Sequence, residues 1–532
     1  MKDRAEDSFR FPFSSLDLHN RLVAHWYQFF IKNRNYFDPH PPDRFLSANA
    51  ASSWLYDITS RKGFRKKRSE IEKNEHLRKP IVFCRLKLRV NENLARINDV
   101  TIIAEVPTLI KQLGRKEISC AEPLYELGDE LILVRAFAHY DKAEFQEEAR
   151  IRERAQQEID ADIAKFLGNR TNYEIEANLS VAYLENKEFL KNFDKLFGPY
   201  QHRFGPMLPN KIGPEGIENE EARYAMLCEL CQRAKAVKPF RKFLDEEATV
   251  VEHLCEGCFE IRTRQDEEGK IRAANIGSRI AQWQREAEEP KAANEKAKLF
   301  LCYLKIELDY QQLLEVLKQR FEEEGFYPKR KITQVEEDLG FSVLFEFLED
   351  YKAFLSRFKQ TLFERYEPAE SAFQLLPNFF GFRLEAPAEV KKMLQVFQEK
   401  YHEFFPKFPA ADPPLRAAWT ISTFKYPFFE AWRYLNRPKS APFNVYWVRH
   451  FELALSYQSY EALTGLDLKD KKRSRFLHNL AEIEQHSGLM QLVEMEIWNN
   501  RRIFPEIYDK IRPSKRLFTA QQLLDWYRLG EG

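Results

Sequence analysis

Four cysteines, arranged as two pairs with the same internal spacing, are the clearest candidates for chemistry in the sequence. Cys228 and Cys231 belong to the segment CELC, and Cys255 and Cys258 belong to CEGC, with residues 232–254 between the pairs. A two-residue gap lets both sulfurs of a pair reach one ion, and two such pairs supply four thiolates for a tetrahedral zinc ion. Because four protein ligands leave no open position, the pattern predicts a structural zinc site. Four unligated thiols or two disulfides are the alternatives.

The other cysteines and a nearby histidine are expected to lie outside this site. Cys84, Cys120 and Cys302 stand singly among apolar neighbours, which is typical of buried cysteines that pack as small hydrophobic residues. His253 precedes Cys255 by two residues and could replace one sulfur, but we expect it to be a solvated polar side chain.

Length, charge and hydropathy limit the classes of protein to consider. A chain of 532 residues is too long for one hydrophobic core. Its net charge of +1 predicts that any contact with nucleic acid is local, and we expect no DNA partner. No apolar run approaches the roughly eighteen residues of a membrane helix, and the N-terminal MKDRAEDSFRF lacks a signal-peptide core. We therefore expect a cytoplasmic protein, in which reduced thiols favour zinc over disulfides.

Two basic segments are candidates for contacts with RNA phosphates. The first, RKGFRKKR, occupies residues 61–68, and the second, KKRSR, opens a predicted helix at residue 471. Cations at a helix N-terminus oppose the macrodipole, which suggests an external anion. A solvated loop and a solvated helix face are the alternatives. The candidate RNA-binding side chains are Arg61, Lys62, Arg65, Lys66, Lys67, Arg68, Lys471, Lys472, Arg473 and Arg475.

The hydrophobic pattern predicts the same order of elements twice. In residues 81–200 the alternating strand IVFCRLKLRV precedes a helix, the hairpin EPLYEL–ELILVRAF, a charged helix and the strand YEIEANLSVAYL. In residues 296–450 the strand KLFLCYLKIEL precedes helices, the hairpin AFQLLP–FFGFRL, another helix and the strand LRAAWTIST. Strand, helix, hairpin, helix and strand is the order of a ferredoxin-like unit.

These patterns predict an α+β fold with two ferredoxin-like (palm) domains, a zinc-binding module between them and a C-terminal helical bundle. The predicted segments are a mostly helical N-terminal part (1–80), the first palm (81–200), the zinc module (201–295), the second palm (296–450) and the bundle (451–532).

This arrangement resembles the large palm-domain subunit of type III CRISPR-Cas effector complexes. The resemblance rests on CELC, CEGCFEIRTR, YLKIELD and LRAAWTISTFKYPFFEAW, and more loosely on LYELGDELILV. It implies a subunit of a crRNA-guided, RNA-targeting complex of antiviral defence. The implied partners are the backbone and small subunits of the effector and, through the complex, crRNA and target RNA.

Within that family, LLPNFFGFRL resembles the diverged branch whose polymerase/cyclase site has degenerated. In active members the second palm makes cyclic oligoadenylates and its hairpin carries a Gly-Gly-Asp-Asp type turn. Two divalent cations must be held there by carboxylates from the first strand and from the turn. Here residues 377–381 contain no carboxylate and several aromatic residues, so Glu307 and Asp309 keep half of a metal cage. With Asn378 and Gly381 they form the predicted degenerate palm site.

The first palm is also predicted to be inactive. Its hairpin contains the turn fragment Gly128 to Glu130, but the strand that would supply partner carboxylates carries cations, which would repel Mg²⁺. These cations are Arg85, Lys87 and Arg89.

The sequence therefore favours a non-catalytic, scaffold-like large subunit. The sequence contains no His-Asp dipeptide, and only about 80 residues precede the first predicted palm, so we expect the family's HD-type nuclease domain to be absent. Two alternatives remain open. One is a residual nucleotidyltransferase or cyclic oligoadenylate synthase that uses Glu307 and Asp309, and the other is a zinc-braced adaptor protein unrelated to CRISPR.

Overall fold

The computed structural model divides the chain into two compact units, described separately below. The first contains Met1–Asn93, Thr101–Ala273 and Leu317–Phe354, and the second contains Leu94–Val100, Ala274–Val316 and Leu355–Gly532. The residues that the structure describes are 80–90, 100–118, 121–136, 148–168, 170, 172–183, 189–205, 227–231, 234–243, 249–263, 280, 282–283, 299–323, 341–365, 372–404, 414–424, 426, 428–466, 471–487, 490–502 and 517–531.

The described residues form strands and helices in a mixed α+β arrangement. The strands are β1 (Pro80–Val90), β2 (Glu122–Leu127), β3 (Glu130–Ala136), β4 (Tyr173–Tyr183), β5 (His202–Phe204), β6 (Lys238–Phe243), β7 (Thr249–Leu254), β8 (Phe300–Leu308), β9 (Ala372–Leu376), β10 (Phe379–Leu384), β11 (Leu415–Thr423), β12 (Phe443–Trp447) and β13 (Phe451–Leu455). The helices are α1 (Val100–Gln112), α2 (Glu148–Leu167), α3 (Phe189–Phe197), α4 (Glu256–Thr263), α5 (Tyr310–Glu323), α6 (Phe341–Arg365), α7 (Glu389–Phe404), α8 (Phe428–Asn436), α9 (Tyr457–Thr464), α10 (Lys471–Ser487), α11 (Met490–Asn499) and α12 (Ala520–Glu531).

The sheet of the first unit has the strand order β2-β3-β1-β4-β5, and neighbouring strands are antiparallel. Strands β2 and β3 are joined by the two-residue turn Gly128–Asp129. Gly128 has φ of 60°, a conformation that a residue without Cβ adopts at little cost. The turn lies beside β1, since the amide of Leu88 donates to the carbonyl of Asp129 at 2.8 Å.

Helix α2 packs on this sheet through a stripe of small and branched apolar residues. Ile151, Ala155, Ile159 and Ile163 recur every four residues and are completely buried. Residues at this spacing lie on one face of a helix, so the charged residues between them can face solvent.

The sheet of the second unit has the order β13-β12-β11-β8-β10-β9. Its central strand β8 is antiparallel to both neighbours, and β12 is parallel to β11. Sequence patterning predicts FNVYWV as the last strand of this region, whereas the structure adds β13 as an edge strand. FELAL has only five residues and follows a turn through Arg449 with φ of 62°, so its alternation is too short to be a strong signal.

One face of this second sheet is covered by aromatic residues of α6 and α7. Phe358 contacts Phe380 at a ring-centroid distance of 6.2 Å, and Phe397 contacts Trp419 at 6.1 Å, both edge-on. Edge-to-face pairs of this kind contribute beyond the burial of their area.

The opposite face is covered by α8. The Phe428 ring lies 4.9 Å from that of Tyr303, and the indole of Trp432 stacks on Phe379 at 5.6 Å. This face also contains the central residues of β8, so α8 determines what can reach them.

No helix in the described part of the chain is both long and apolar enough to cross a lipid bilayer. The predicted N-terminal segment lies outside the described residues except for Pro80. The predicted domain boundaries stay predictions.

Candidate functional site

The four paired cysteines converge on one point in the first unit. The first pair lies in a short loop closed by a bridge between Leu227 and Lys235. Within that loop the amide of Cys228 donates to the carbonyl of Ala234 at 2.7 Å. The fold of this loop brings Cys231 back towards Cys228, as the two-residue spacing predicts.

The second pair lies where strand β7 passes into helix α4. Cys255 directly precedes the helix, and Cys258 lies in its first turn. The amide of Phe259 donates to the carbonyl of Cys255 at 2.9 Å, which fixes the helix start. The helical turn therefore places both sulfurs on the same side.

The sulfur geometry fits a tetrahedral metal ion. The four Sγ atoms lie within 4.8 Å of one another, and those of Cys231 and Cys255 are 3.8 Å apart. A tetrahedron with zinc–sulfur bonds of the usual length has an edge of about 3.8 Å. All four side chains are buried. The cluster could therefore hold one metal ion, with all of its ligands from this chain.

A buried amide supports this cluster from the start of β4. The Nδ2 atom of Asn172 donates to Sγ of Cys258 at 2.8 Å, and Asn172 is itself buried. Amide donors to a metal-bound thiolate orient the ligand and stabilise its charge. Asn172 follows no recognisable pattern, so sequence reasoning did not find it.

His253 lies outside the cluster. Its ring is largely exposed, and Nδ1 lies 3.2 Å from Oε1 of Glu229. The expectation of a solvated histidine is in agreement with this position.

The thiols of the cluster affect one another strongly. Hydrogen bonding with Cys228, Cys231 and Cys255, together with burial, raises the pKa of Cys258. Four thiolates so close together repel one another without a cation between them. The donor set thus matches a soft or borderline divalent cation better than it matches free thiols.

The other cysteines lie elsewhere. Cys84 and Cys302 are buried cysteines outside any disulfide, in the central strands of the two sheets, and burial raises the pKa of Cys302. Cys120 lies outside the described residues.

The predicted degenerate palm site lies at the centre of the second sheet, where a lysine is completely buried. Nζ of Lys305, on β8, lies 2.7 Å from Oε1 of Glu307 and donates to Oδ1 of Asn436 at 2.8 Å. It also lies 5.8 Å from the ring centre of Trp432. Glu307 is 27% exposed, so its side chain lies between the buried ammonium of Lys305 and the protein surface.

Asp309 is engaged by the start of a helix and by an arginine. Its Oδ1 accepts from the amides of Gln311 and Gln312 at 3.1 Å, which is the hydrogen bonding of an N-cap. Its Oδ2 lies 3.2 Å from Nη2 of Arg416 on β11. The second candidate acid thus also has a side-chain cation beside it.

Asn378 and Gly381 belong to the hairpin of β9 and β10 and lie beside β8. Nδ2 of Asn378 donates to the carbonyl of Ile306 at 2.9 Å, and the amide of Ile306 donates back to the carbonyl of Asn378 at 2.9 Å. A Cβ at Gly381 would lie 2.3 Å from the ring of Phe373. Phe373 itself stacks on Trp283 with ring centroids 5.6 Å apart. The hairpin is therefore tightly packed here.

A second lysine lies close to this group. Lys439 donates to the carbonyl of Arg437 at 2.8 Å, and its Nζ lies 4.1 Å from the centre of the Tyr434 ring. Desolvation lowers the pKa of Lys439 to about 8, while the nearby Glu307 raises it and Lys305 lowers it. The surroundings of Glu307 are thus rich in positive charge.

In the first sheet, cations on β1 are paired with acids in a comparable way. Nε of Arg85 lies 2.6 Å from Oε1 of Glu130, and Nζ of Lys87 lies 3.9 Å from Oδ2 of Asp129. Arg85 is buried, and its guanidinium lies 4.8 Å from the ring centre of Tyr200.

A third pair lies further along β1. Nη1 of Arg89 lies 2.7 Å from Oε1 of Glu176 on β4. Each of these three β1 cations therefore has a carboxylate beside it.

The candidate RNA-binding residues are only partly described. Residues 61–68 lie outside the described part of the chain, and Lys471, Lys472 and Arg473 are placed by their backbone at the start of α10. Arg475, one turn into this helix, is exposed. A direct contact with RNA stays a prediction.

Sequence reasoning missed the residues that surround Glu307. Lys305 is a lone cation in the apolar strand FLCYLKIEL, and Arg416 is one in LRAAWTIST. Because a buried cation needs a partner, an isolated lysine or arginine inside a fully apolar strand is a usable signal. Asn436 and Trp432 come from another element and carry no such signal.

Comparisons with known proteins yield distant structural neighbours only. No protein-family model and no curated protein matches the chain. The crystal structure of Csm1 from T. onnurineus matches 90% of this chain and 73% of its own, with 9% sequence identity and a TM-score of 0.38. Two structures of the Csm1–Csm4 cassette also match 90% of this chain. The one in complex with AMPPNP has a TM-score of 0.39 and 9% identity, and the one with ATP has 0.34 and 8%. Likenesses this low do not establish a family.

We expect one metal ion per chain, held by the four cysteines. Replacing Cys258 by Ser should abolish the ion, because three thiolates remain, and should lower the thermal midpoint of the first unit. Cys302→Ala is the matched control, since this buried cysteine lies in the other unit. Elemental analysis of reduced, purified protein measures both variants. Less than one ion per wild-type chain, or the same loss in Cys302→Ala, would contradict the site.

The pair Lys305–Glu307 should show strong coupling in a double-mutant cycle. Glu307→Gln leaves a buried ammonium with a weakened partner, and we expect a loss of about 2 kcal/mol, reduced by the partial exposure of Glu307. Adding Lys305→Met should recover most of that loss, because the unpaired charge is then gone. Denaturant unfolding monitored by tryptophan fluorescence measures this.

Glu430→Gln is the control for this cycle, because it removes an acid from the exposed pair with Arg449 and should cost under about 1 kcal/mol. Additive effects of Glu307→Gln and Lys305→Met would contradict the coupling.

Proposed function

We propose that the chain is a non-catalytic, scaffold-like large subunit of a type III CRISPR-Cas effector complex. In this role it contacts the backbone and small subunits and, through the complex, crRNA and target RNA. It acts in the cytoplasm in antiviral defence, and it carries no active oligoadenylate cyclase.

The order of strands supports the two predicted palms. In the first sheet, β1 to β4 lie in the order second, third, first, fourth, and in the second sheet β8 to β11 lie in the corresponding order. Neighbouring strands within each set of four are antiparallel. A ferredoxin-like unit has the same strand order, which supports the proposal of two palms. The four-cysteine cluster lies between these sets in the sequence.

The observation that carries the non-catalytic part is the ion pair at the centre of the second sheet. Two-metal phosphoryl transfer needs several carboxylates around a space open to both ions and a triphosphate. Here the ammonium of Lys305 lies beside Glu307, Arg416 lies beside Asp309, and Trp432 and Phe379 stack next to them. Side-chain cations neutralise the acids that a divalent cation would need.

Zinc is the metal that we propose for the cysteine cluster. Four thiolates in a closed tetrahedron are the usual structural donor set for this ion, which has no redox chemistry of its own. The ion would connect the loop of Cys228 and Cys231 to the end of β7 and the start of α4. Its role is to fix the fold, since the ligand set leaves no position for a substrate.

The CRISPR part of the proposal also rests on the segments CEGCFEIRTR and YLKIELD, and affinity purification from the native cells tests it. We expect the tagged chain to recover RNA enriched in CRISPR repeat sequence, together with other effector subunits. Recovery of partner proteins without crRNA would favour an adaptor unrelated to CRISPR and would overturn this part.

The same purified complex tests the inactive palm. With target RNA, ATP and Mg²⁺ or Mn²⁺, we expect no oligoadenylate above that of a complex carrying Glu307→Gln with Asp309→Asn. Oligoadenylate that disappears in this double variant would establish the residual nucleotidyltransferase instead. The two readouts are separate, so one part of the proposal can fail without the other.

A further inference from the structure

Helix α11 presents large apolar side chains to solvent. The side chains of Leu492, Met495 and Trp498 are 38%, 55% and 50% exposed. Among the described residues only Val237 and Val251 share this property of large, exposed hydrophobic side chains. Three such residues at a spacing of three form an apolar stripe that runs diagonally along the helix, with the exposed Gln491 and Asn499 beside its two ends. Stripes of this kind on soluble proteins mark interaction surfaces more often than isolated exposed residues do.

The stripe lies opposite the face by which α11 packs. Val493 and Ile497, four residues apart, are buried and hold the helix against its neighbours. At about 100° per residue, Leu492, Met495 and Trp498 occupy a sector of roughly 120° on the other side. A sector of this width matches the contact face of one further helix.

Acidic residues border the stripe on both sides along the helix, and Arg501 and Arg502 follow its C-terminal end. On the same helical projection, Glu496 follows Leu492 around the helix, and Glu494 lies on the far side of Trp498. Both glutamates are partly exposed. This is the arrangement of an interface helix whose flanking residues select a partner by charge.

The tryptophan has the features of an anchor for a protein contact. The guanidinium of Arg501 lies 3.8 Å from the centre of the Trp498 ring. Tryptophan and arginine are enriched among the residues that dominate binding energy at protein interfaces. The stacked arginine keeps the indole in one position, which reduces the entropy lost on binding.

We propose that α11 is a docking site for an amphipathic helix of another protein, whose apolar face is flanked by Lys or Arg. A single strand of RNA suits the surface less, because Glu494 and Glu496 repel phosphates and Leu492 and Met495 offer no stacking plane. A second copy of α11 would bring the same glutamates together. This inference holds whether or not the chain serves a CRISPR complex.

The probe is a pair of fluorescein-labelled helical peptides with the same leucine face, one flanked by Lys and the other by Glu. Anisotropy titrations with the full chain should show at least about tenfold tighter binding of the Lys-flanked peptide. Leu492→Ala with Trp498→Ala should weaken that binding by about tenfold or more. Val237→Ala, which truncates an equally exposed residue in the other unit, is the control and should change nothing.

The charge-reversed variant Glu494→Lys with Glu496→Lys gives the sharpest test, because it should switch the preference to the Glu-flanked peptide. All of the substituted residues are at least partly exposed, and unchanged thermal unfolding verifies that the variants fold. Absence of saturable binding by either peptide would overturn the proposal, as would a preference that does not switch. Binding of oligouridine lost in Trp498→Ala, or self-association lost in that variant, would assign the surface to RNA or to a second copy instead.

Discussion

The ion pair between Lys305 and Glu307 is the interaction on which the second sheet depends. A completely buried ammonium is tolerated only when a carboxylate and a hydrogen-bond acceptor lie beside it, and Glu307 and Asn436 meet that need. Asn436 comes from α8, so the pair also draws this helix across the face of the sheet. Trp432 and Phe428 of the same helix then cover Phe379 and Tyr303 on this face of the sheet. The charge and the covering helix are thus parts of one arrangement.

The cysteine cluster solves a different problem in the first unit. Its loop, the strand β7 and the start of α4 are short segments, and a metal ion can stabilise short segments that have no large core. Four buried sulfurs within 4.8 Å provide ligands for one, and the amide of Asn172 links the cluster to β4. A metal here would connect elements of the first unit, while the second unit is held by aromatic packing. The sheets of both units are held by apolar packing, and the cysteine cluster adds a second means of stabilisation in the first unit.

Sequence reasoning succeeded where a pattern is local. The spacing of CELC and CEGC predicted the convergence of the four sulfurs, alternation predicted β1, and apolar runs predicted β8 and β11. It did not identify Arg416 and Asn172, because their partners Asp309 and Cys258 lie far away in the sequence. It also did not identify Lys305, whose second partner, Asn436, comes from a distant helix. The edge strand β13 was missed since an alternation over only five residues is too short to be distinctive. Asp309 shows the limit most clearly: its position beside Glu307 suggested a metal ligand, whereas its oxygens cap α5 and lie beside Arg416.

Binding of Mn²⁺ to the metal-loaded full chain measures whether Glu307 and Asp309 still hold divalent ions, because Mn²⁺ prefers oxygen ligands and leaves a thiolate cluster alone. The electron paramagnetic resonance signal of free Mn²⁺ measures how much is bound. If side-chain cations occupy the place of divalent ions, wild-type protein and the variant carrying Glu307→Gln with Asp309→Asn should leave the same free Mn²⁺ at every concentration. Stoichiometric binding by the wild type that is lost in that variant would contradict the account.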